Sequence, residues 1–516
     1  MDGGLHDVGN PQSLLSYRQL GYLSLANLGL QAAGTFELNN ASGLFKFLGA
    51  SDPQLGWLWL IPPLAGLIVQ PVLGQASDLL DTRYGKRMPY IYAGAVLSCL
   101  SMLAMSFSEA LWLTTAMMLC MSCSINCSTE GLRSLIGDIT PNRQKSQAFA
   151  WQAVFGSLGA MLAGAIPWLL HSTRVFVPPS ESPFRIPVVL KVSLVLGALL
   201  LFQTVSSMGR EIRHKDRARA ATPGTRFAWR AFGTLLVREL YGNLRQTPPV
   251  IRRLFLVQML TWAGFFCVWI YFGLALAQRI YGLPPGADVS ASAEHQALLT
   301  NGVIQAGICF ALYQFVGVLY TLALPSLAER FDPNRVHAMS LLAGAATLLA
   351  MPFLHDMRSV YVAMIGLGLF SGSLGALPYA IVSAEVPRAK MGACLGIFNI
   401  TITVPQILFG LVIGPLSRAL FGNQAIHVIA LAGGLLGAAG LLLLRQQGLR
   451  VLPRLREWMA RCRLKPGRPA GVPDDPARDS TAAPGPRWIR VRVPRGWRRR
   501  TRDPAIRCHS SKRPPC

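Results

Sequence analysis

Twelve apolar runs, separated by short polar stretches, recur along the chain, over 18–40, 55–77, 89–108, 111–135, 147–171, 187–208, 251–276, 302–324, 337–354, 359–381, 393–416 and 424–444. A membrane-spanning helix needs about 20 mainly apolar residues, and most of these runs are too long and unbroken for the core of a soluble domain. Pro62, Pro63, Pro71, Pro378 and Pro405 fall inside them. Such prolines damage helices in water, yet they are tolerated where neighbouring membrane helices satisfy the freed backbone. The pattern predicts an all-α polytopic membrane protein with twelve transmembrane helices.

Residues 209–250 are polar, basic and free of long apolar runs, so they divide the spans six and six. The expected organisation is a first half over 1–208, a basic linker over 209–250, a second half over 251–445 and a tail over 446–516. The halves echo one another. Asp138-Ile139-Thr140-Pro141 followed by Lys145 closes the fourth span, and Glu385-Val386-Pro387 followed by Lys390 closes the tenth. Parallel six-helix repeats with a binding site where the halves meet are a feature of secondary transporters.

Composition agrees with a lipid-dissolved chain. Of 516 residues, 52% are hydrophobic and only 14% charged, against about 25% charged in soluble domains. Net charge is +25, but Arg445 to Cys516 carry 20 of the 49 Lys/Arg and 5 of the 24 Asp/Glu, supplying +15 of it. The high charge therefore belongs mainly to an Arg/Pro-rich tail that cannot bury a core and is expected to be disordered. It does not mark a nucleic-acid protein, and its alternative role is contact with anionic lipid. Loops after even-numbered spans hold Arg83, Lys86 and Arg87, then Arg143 and Lys145, a basic run from Arg210 to Arg245, Arg330 and Arg335, and Arg388 and Lys390. The opposite loops are poorer in Lys/Arg, so the positive-inside rule puts both termini in the cytoplasm of a cell inner (plasma) membrane protein. Residues 1–16 lack the basic and apolar regions of a cleavable leader.

Candidate chemistry concentrates in Asn126 to Arg143, which closes an apolar run yet carries Glu130, Arg133 and Asp138. Asn126, Glu130, Arg133 and Gly137 recur at i, i+4, i+7 and i+11, so a helix aligns them on one face. A charge at mid-membrane costs at least about 2.5–3.5 kcal/mol on insertion scales and normally faces a partner or a watery cavity. Arg133 offers five donors to sugar hydroxyls or to a carboxylate. The bland alternative is an ion pair with Glu130. Proton coupling needs a carboxylic acid whose surroundings change with conformation, and Glu37, Glu130 and Asp138 are the candidates. Cys120, Cys123 and Cys127 share a face, but a row of small packing side chains is favoured over a metal site. The eight histidines form no metal-like cluster, and no nucleophile or metal set suggests a membrane-embedded enzyme. No cofactor beyond a coupling proton is expected.

The stretch Gly74-Gln75-Ala76-Ser77-Asp78, then Arg83-Tyr84-Gly85-Lys86-Arg87-Met88-Pro89, resembles the signature loop of the major facilitator superfamily, with Leu79 to Thr82 inserted between acid and arginine. That form is similar to the loop of the glycoside–cation symporter branch, which includes plant sucrose transporters and their bacterial and animal relatives. Gly29-Leu30-Gln31 through Glu37-Leu38-Asn39 resembles that group's first helix, and Glu130 through Asp138 its fourth. Phe265-Phe266-Cys267-Val268-Trp269-Ile270-Tyr271 resembles its seventh and Tyr313-Gln314 its eighth. Leu377-Pro378-Tyr379 and Gly396 to Asn399, then Pro405-Gln406, resemble its tenth and eleventh. The resemblance spans roughly residues 18–445 and implies proton-coupled uptake of a disaccharide such as sucrose or maltose by a monomer.

It also implies roles. Gln31, Glu37, Glu130, Arg133, Asp138, Tyr313, Gln314, Asn399 and Gln406 would serve substrate and proton, and Asp78, Arg83, Gly85, Lys86 and Arg87 would form a gating latch. Asp138 sits near the cytoplasmic end and has a gate role as its alternative, while Glu37 has sugar binding without proton transfer as its own. Asn399, Thr403 and Gln406 form a polar stripe for which interhelical hydrogen bonding is an equal reading. Trp262, Phe266, Trp269 and Tyr271 suit stacking on a sugar ring, and interfacial aromatics are equally common in spans. Absence of an acid before Asp78 in the second span favours protons over sodium. A facilitator or exporter without proton coupling is the standing alternative.

Overall fold

The computed structural model describes residues 14–69, 87–141, 144–173, 186–219, 249–385 and 391–463. The gating-loop residues Asp78, Arg83, Gly85 and Lys86 lie outside them, as do most of the 209–250 linker and residues 464–516. Residues up to Arg456 form one compact unit and Glu457–Cys516 a second.

The described chain folds into twelve helical segments: α1 Tyr17–Phe47, α2 Asp52–Leu58 (resuming over 61–69 after a turn), α3 Met88–Ser106, α4 Leu111–Ile139, α5 Lys145–Ser172, α6 Val188–Arg219, α7 Pro249–Arg279, α8 Ala293–Phe331, α9 Pro333–Ala350, α10 Met357–Glu385, α11 Met391–Phe421 and α12 Ala425–Arg463. Ten of them, α3 to α12, are long and apolar enough to cross a membrane. The helix α1 has 31 residues, about 46 Å at the usual rise, but Asn27, Gln31, Glu37, Asn39, Asn40 and Lys46 keep it below that apolar standard. Several helices outrun their apolar runs, among them α1 ending at Phe47, α6 at Arg219, α8 at Phe331, α11 at Phe421 and α12 at Arg463. The tail expected from residue 446 therefore begins as helix.

Helix starts follow local chemistry. Ser16 and Gln19 form a reciprocal capping box at α1, satisfying two amide donors left open at a helix start. Asp332 takes a left-handed φ of 73° between α8 and α9, and its carboxylate accepts from Asn334 N at 2.9 Å. That bond offsets the steric cost of this φ for a residue with a Cβ.

Successive helices run antiparallel, as the end contacts show. On the face that carries the start of α1, here the terminal face, Leu15 and Gln144 bond the starts of α1 and α5. Arg18 meets Glu211 of α6 at 3.3 Å, and Gln446 of α12 donates to the Arg253 carbonyl at 3.2 Å. On the opposite face, Gln278 at the end of α7 bonds the α12 start through Asn423 O and Ala425 N. Arg279 donates to Pro352 O at 2.6 Å just after α9.

Within α1–α6, α1 packs on α5 and α6 and α3 on α4 and α6; within α7–α12, α8 packs on α10 and α7, α9 on α10, and α11 on α7. The two groups meet where α1 touches α7 and α8, α5 touches α8, and α2 touches α11. These crossings are backbone-close. A Cβ on Gly414 would lie 2.1 Å from Pro53 O, and one on Gly164 2.2 Å from Gly307 O. With lipid tails as apolar as leucine, association rests on such close packing rather than on hydrophobic expulsion.

Replacing Gly414 with valine should force α2 away from α11. The expected loss is about 1–3 kcal/mol by the usual cost of overpacking, read as a lower unfolding temperature of the detergent-solubilised protein. Replacing Gly434, whose added Cβ meets nothing within 4 Å, with alanine should leave it unchanged.

Candidate functional site

The predicted stripe on α4 is real and one turn longer than its sequence signal. Asn126 Nδ2 donates to the Ser122 carbonyl at 2.8 Å, placing Ser122, Asn126, Glu130 and Arg133 in line along the helix. The Ser122 hydroxyl donates to Glu37 Oε1 across to α1. Glu37 is 6% exposed. Ser122 escaped the sequence reading, although its place four residues before Asn126 on the same face was the available signal.

Lower on the stripe, Arg133 Nη1 meets Glu130 Oε1 at 2.5 Å, with the two side chains 57% and 19% exposed. The pair is thus the i, i+3 ion pair expected on a helix, and it is not sealed into a dry contact. Among the described residues Glu130 is the hydrogen-bonded partner of Arg133, which leaves guanidinium donors for a ligand. Arg133 also lies within electrostatic reach of the Tyr379 hydroxyl on α10. Tyr379 is 39% exposed and packs edge-on against Phe398 of α11, with centroids 5.2 Å apart. Asn399, next along α11, is exposed too. Arg133, Tyr379 and Asn399 thus offer a guanidinium, a phenol and an amide from three helices. Such a donor-rich set suits polyhydroxyl recognition.

Asp138 goes elsewhere. It ends α4 on the terminal face and pairs with Arg87 at the start of α3, Nε to Oδ2 2.9 Å, with Arg87 8% and Asp138 41% exposed. Glu385, its echo in the sequence, pairs with Arg253 of α7 at 2.8 Å. Both acids therefore tie helices of their own group of six.

The remaining predicted residues scatter. Tyr313 is buried among aromatic rings, edge-on to Phe310 at 5.5 Å and Phe265 at 6.2 Å. Gln314 accepts from Ser371 at 3.2 Å. Gln406 is buried on α11, while Gln31 is exposed on α1 beside Gly156 of α5. Thr403 donates to its own helix at Asn399 O, 3.2 Å. Asn27 donates to Gln152 O across to α5, and Asn40 to Phe36 O within its own helix. Of the aromatic residues on α7, Trp262 and Trp269 are half-buried, and the Trp262 indole N–H has no partner among the described residues. Phe266 instead packs edge-on against Trp59, 5.8 Å away. Among the described residues no group of histidine, cysteine or acid side chains could hold a metal.

On the opposite face a buried seal joins the two groups, and it was not foreseen. Lys46 Nζ meets Asp52 Oδ1 at 2.6 Å, the side chains 4% and 1% exposed. Lys46 also donates to Ala287 O at 3.3 Å, and Asp52 Oδ2 accepts from Gly286 N at 3.2 Å, both in the loop after α7. The Tyr271 hydroxyl donates to Asp52 O, Ser42 to Ile270 O, and Trp59 Nε1 to Ser42. The void left between Asn39, Ser42, Lys46, Trp269 and Val303 is about 10 Å³, one water at most. Among the described residues, the side-chain bonds joining α1–α6 to α7–α12 lie here, and the ion pairs Arg18–Glu211, Arg87–Asp138 and Arg253–Glu385 each join helices of one group.

The Major Facilitator Superfamily family model matches residues 25–410. Sucrose transport protein SUC4 of Arabidopsis thaliana is 24% identical over 483 residues, covering 83% of this chain and 90% of that protein. Sucrose transport protein SUT1 of Oryza sativa subsp. japonica is 25% identical over 486 residues, covering 82% and 88%. Among solved structures, the nucleoside transporter NupG superposes with a TM-score of 0.59 at 17% identity, covering 83% of this chain and 98% of that one.

Truncating either Lys46 or Asp52 leaves a buried charge unpaired, at an expected cost of about 3–5 kcal/mol. Lys46→Met combined with Asp52→Leu should cost less than either change alone. A double-mutant cycle of unfolding temperatures checks this, and additive losses would refute a coupled pair.

Proposed function

The chain belongs to the Major Facilitator Superfamily, and from that premise we propose that it is a symporter carrying a disaccharide of the sucrose or maltose kind together with a proton. In this reading α1–α6 and α7–α12 are two rigid halves that rock about a binding site between them, with both termini in the cytoplasm of the cell inner membrane. The observation that supports it is the buried set of bonds joining the two groups on the opposite face, where Ser42, Lys46 and Asp52 of one group meet Ile270, Ala287 and Gly286 of the other.

The sugar assignment rests on the sucrose transport proteins that resemble the chain over most of their length. Arg133 would hold sugar hydroxyls in its planar fork, with Glu130 fixing the guanidinium and Asn399 and Tyr379 adding polar contacts. Trp262 and Trp269 would stack on a sugar face, the free indole N–H of Trp262 reaching a hydroxyl. The Arg87–Asp138 pair would steady the terminal-face gate. The protein would act as a monomer.

Liposomes holding the purified protein should accumulate sucrose or maltose when the outside is made acidic, and a protonophore should abolish accumulation. Uptake indifferent to both would leave the facilitator reading in place of symport. Arg133→Lys should abolish transport without changing the unfolding temperature, because a point charge cannot replace a bidentate fork. Transport retained in that variant would show that charge alone suffices.

A further inference from the structure

Among the described residues, the acids that are not exposed pair with a cation, save one. Glu130 pairs with Arg133, Asp138 with Arg87, Glu211 with Arg18, and Asp52, at the start of α2, with Lys46. Glu37 breaks the rule: it is enclosed on α1, and no cation pairs with it among the described residues. Its hydrogen-bond partner is the Ser122 hydroxyl on α4. An ionised carboxylate enclosed without a cation is costly, and a bound proton removes that cost. A hydroxyl partner serves both forms, donating to the carboxylate and accepting from the acid.

Position matters as much as chemistry. Ser122 lies eleven residues before Arg133 on α4, about 16 Å along the helix, so Glu37 stands apart from the guanidinium. It also lies nine residues before Lys46, about 14 Å from the sealed face. The helix that carries it, α1, packs on α5 and α6 in its own group and on α7 and α8 in the other. Ser42, between Glu37 and Lys46, forms the bond to Ile270 O at 2.6 Å. A change of charge at Glu37 is therefore felt on the helix that holds the seal.

We propose that Glu37 is the carboxylate that carries the coupled proton, with Ser122 as its positioning partner; this rests on the symport reading above. A proton from water on one side forms the O–H bond at a Glu37 carboxylate oxygen and relieves the enclosed charge. When the halves rock and water reaches Glu37 from the other side, that O–H bond breaks and the proton returns to water. No other co-reactant is needed. The sugar and the proton then occupy separate places, and their coupling runs through α1.

The test compares full-length wild type, Glu37→Gln, Glu37→Asp and Ser122→Ala in liposomes by two readouts: accumulation of sucrose or maltose driven by an inward proton gradient, and counterflow exchange of the same sugar at equal pH. Glu37→Gln should lose accumulation and retain counterflow. Ser122→Ala should retain both but shift the pH at which uptake is half-maximal. Should the glutamine variant fail to fold, Glu37→Asp, which keeps the acid one methylene shorter, should show such a shift, and an unchanged midpoint would overturn the proposal. Gradient-driven accumulation by Glu37→Gln would overturn it while leaving symport intact. Loss of both activities in a folded Glu37→Gln protein would assign Glu37 to sugar binding and overturn it as well. A wild type whose counterflow is active but whose uptake ignores the gradient would remove symport itself, and the role of Glu37 with it.

Discussion

Lys46 and Asp52 meet at 2.6 Å with almost no solvent around them, where α1, α2 and the loop after α7 converge. Two charges taken out of water cost several kcal/mol each, and mutual attraction offsets that only with good geometry and further hydrogen bonds. Those further bonds come from Gly286 N, from Ala287 O and, on the Asp52 backbone, from the Tyr271 hydroxyl. The pair itself travels with α1 and α2, while its completing bonds belong to the other six helices. Separating the groups on this face would leave both charges short of partners unless water entered. Parting this contact would require water to hydrate both charges.

The same rule orders the terminal face, with a different outcome. Arg87–Asp138, Arg253–Glu385 and Arg18–Glu211 each bind helices of one group of six. Their exposure is greater, and exposed pairs are individually weak. Each of these described pairs stiffens its own group.

Close packing supplies the rest of the cohesion. Where Gly164 faces Gly307, and where Gly56 and Gly414 face Gly410 and Pro53, backbones approach nearer than any side chain would allow. Aromatic residues on α7 divide their labour accordingly. Phe265 and Phe266 fill the interior against Phe370 and Trp59, leaving Trp262 and Trp269 with partly open faces.

Hydropathy determined the order and approximate places of the ten helices apolar enough to cross a membrane, because burial in lipid is a local requirement that each run of residues meets by itself. It also fixed the α4 stripe, since a helical period places Asn126, Glu130 and Arg133 together whatever surrounds them. It could not mark helix that continues beyond the apolar part, as α8 does to Phe331 and α12 to Arg463. Nor could it say which helix lies next to which. The partnership of Glu37 with Ser122 joins residues 85 apart, and that of Lys46 with Ala287 residues 241 apart. The burial of Tyr313 among rings from α7 and α8 is of the same kind. Such pairings depend on crossing positions and rotations of whole helices, which only the packed bundle decides.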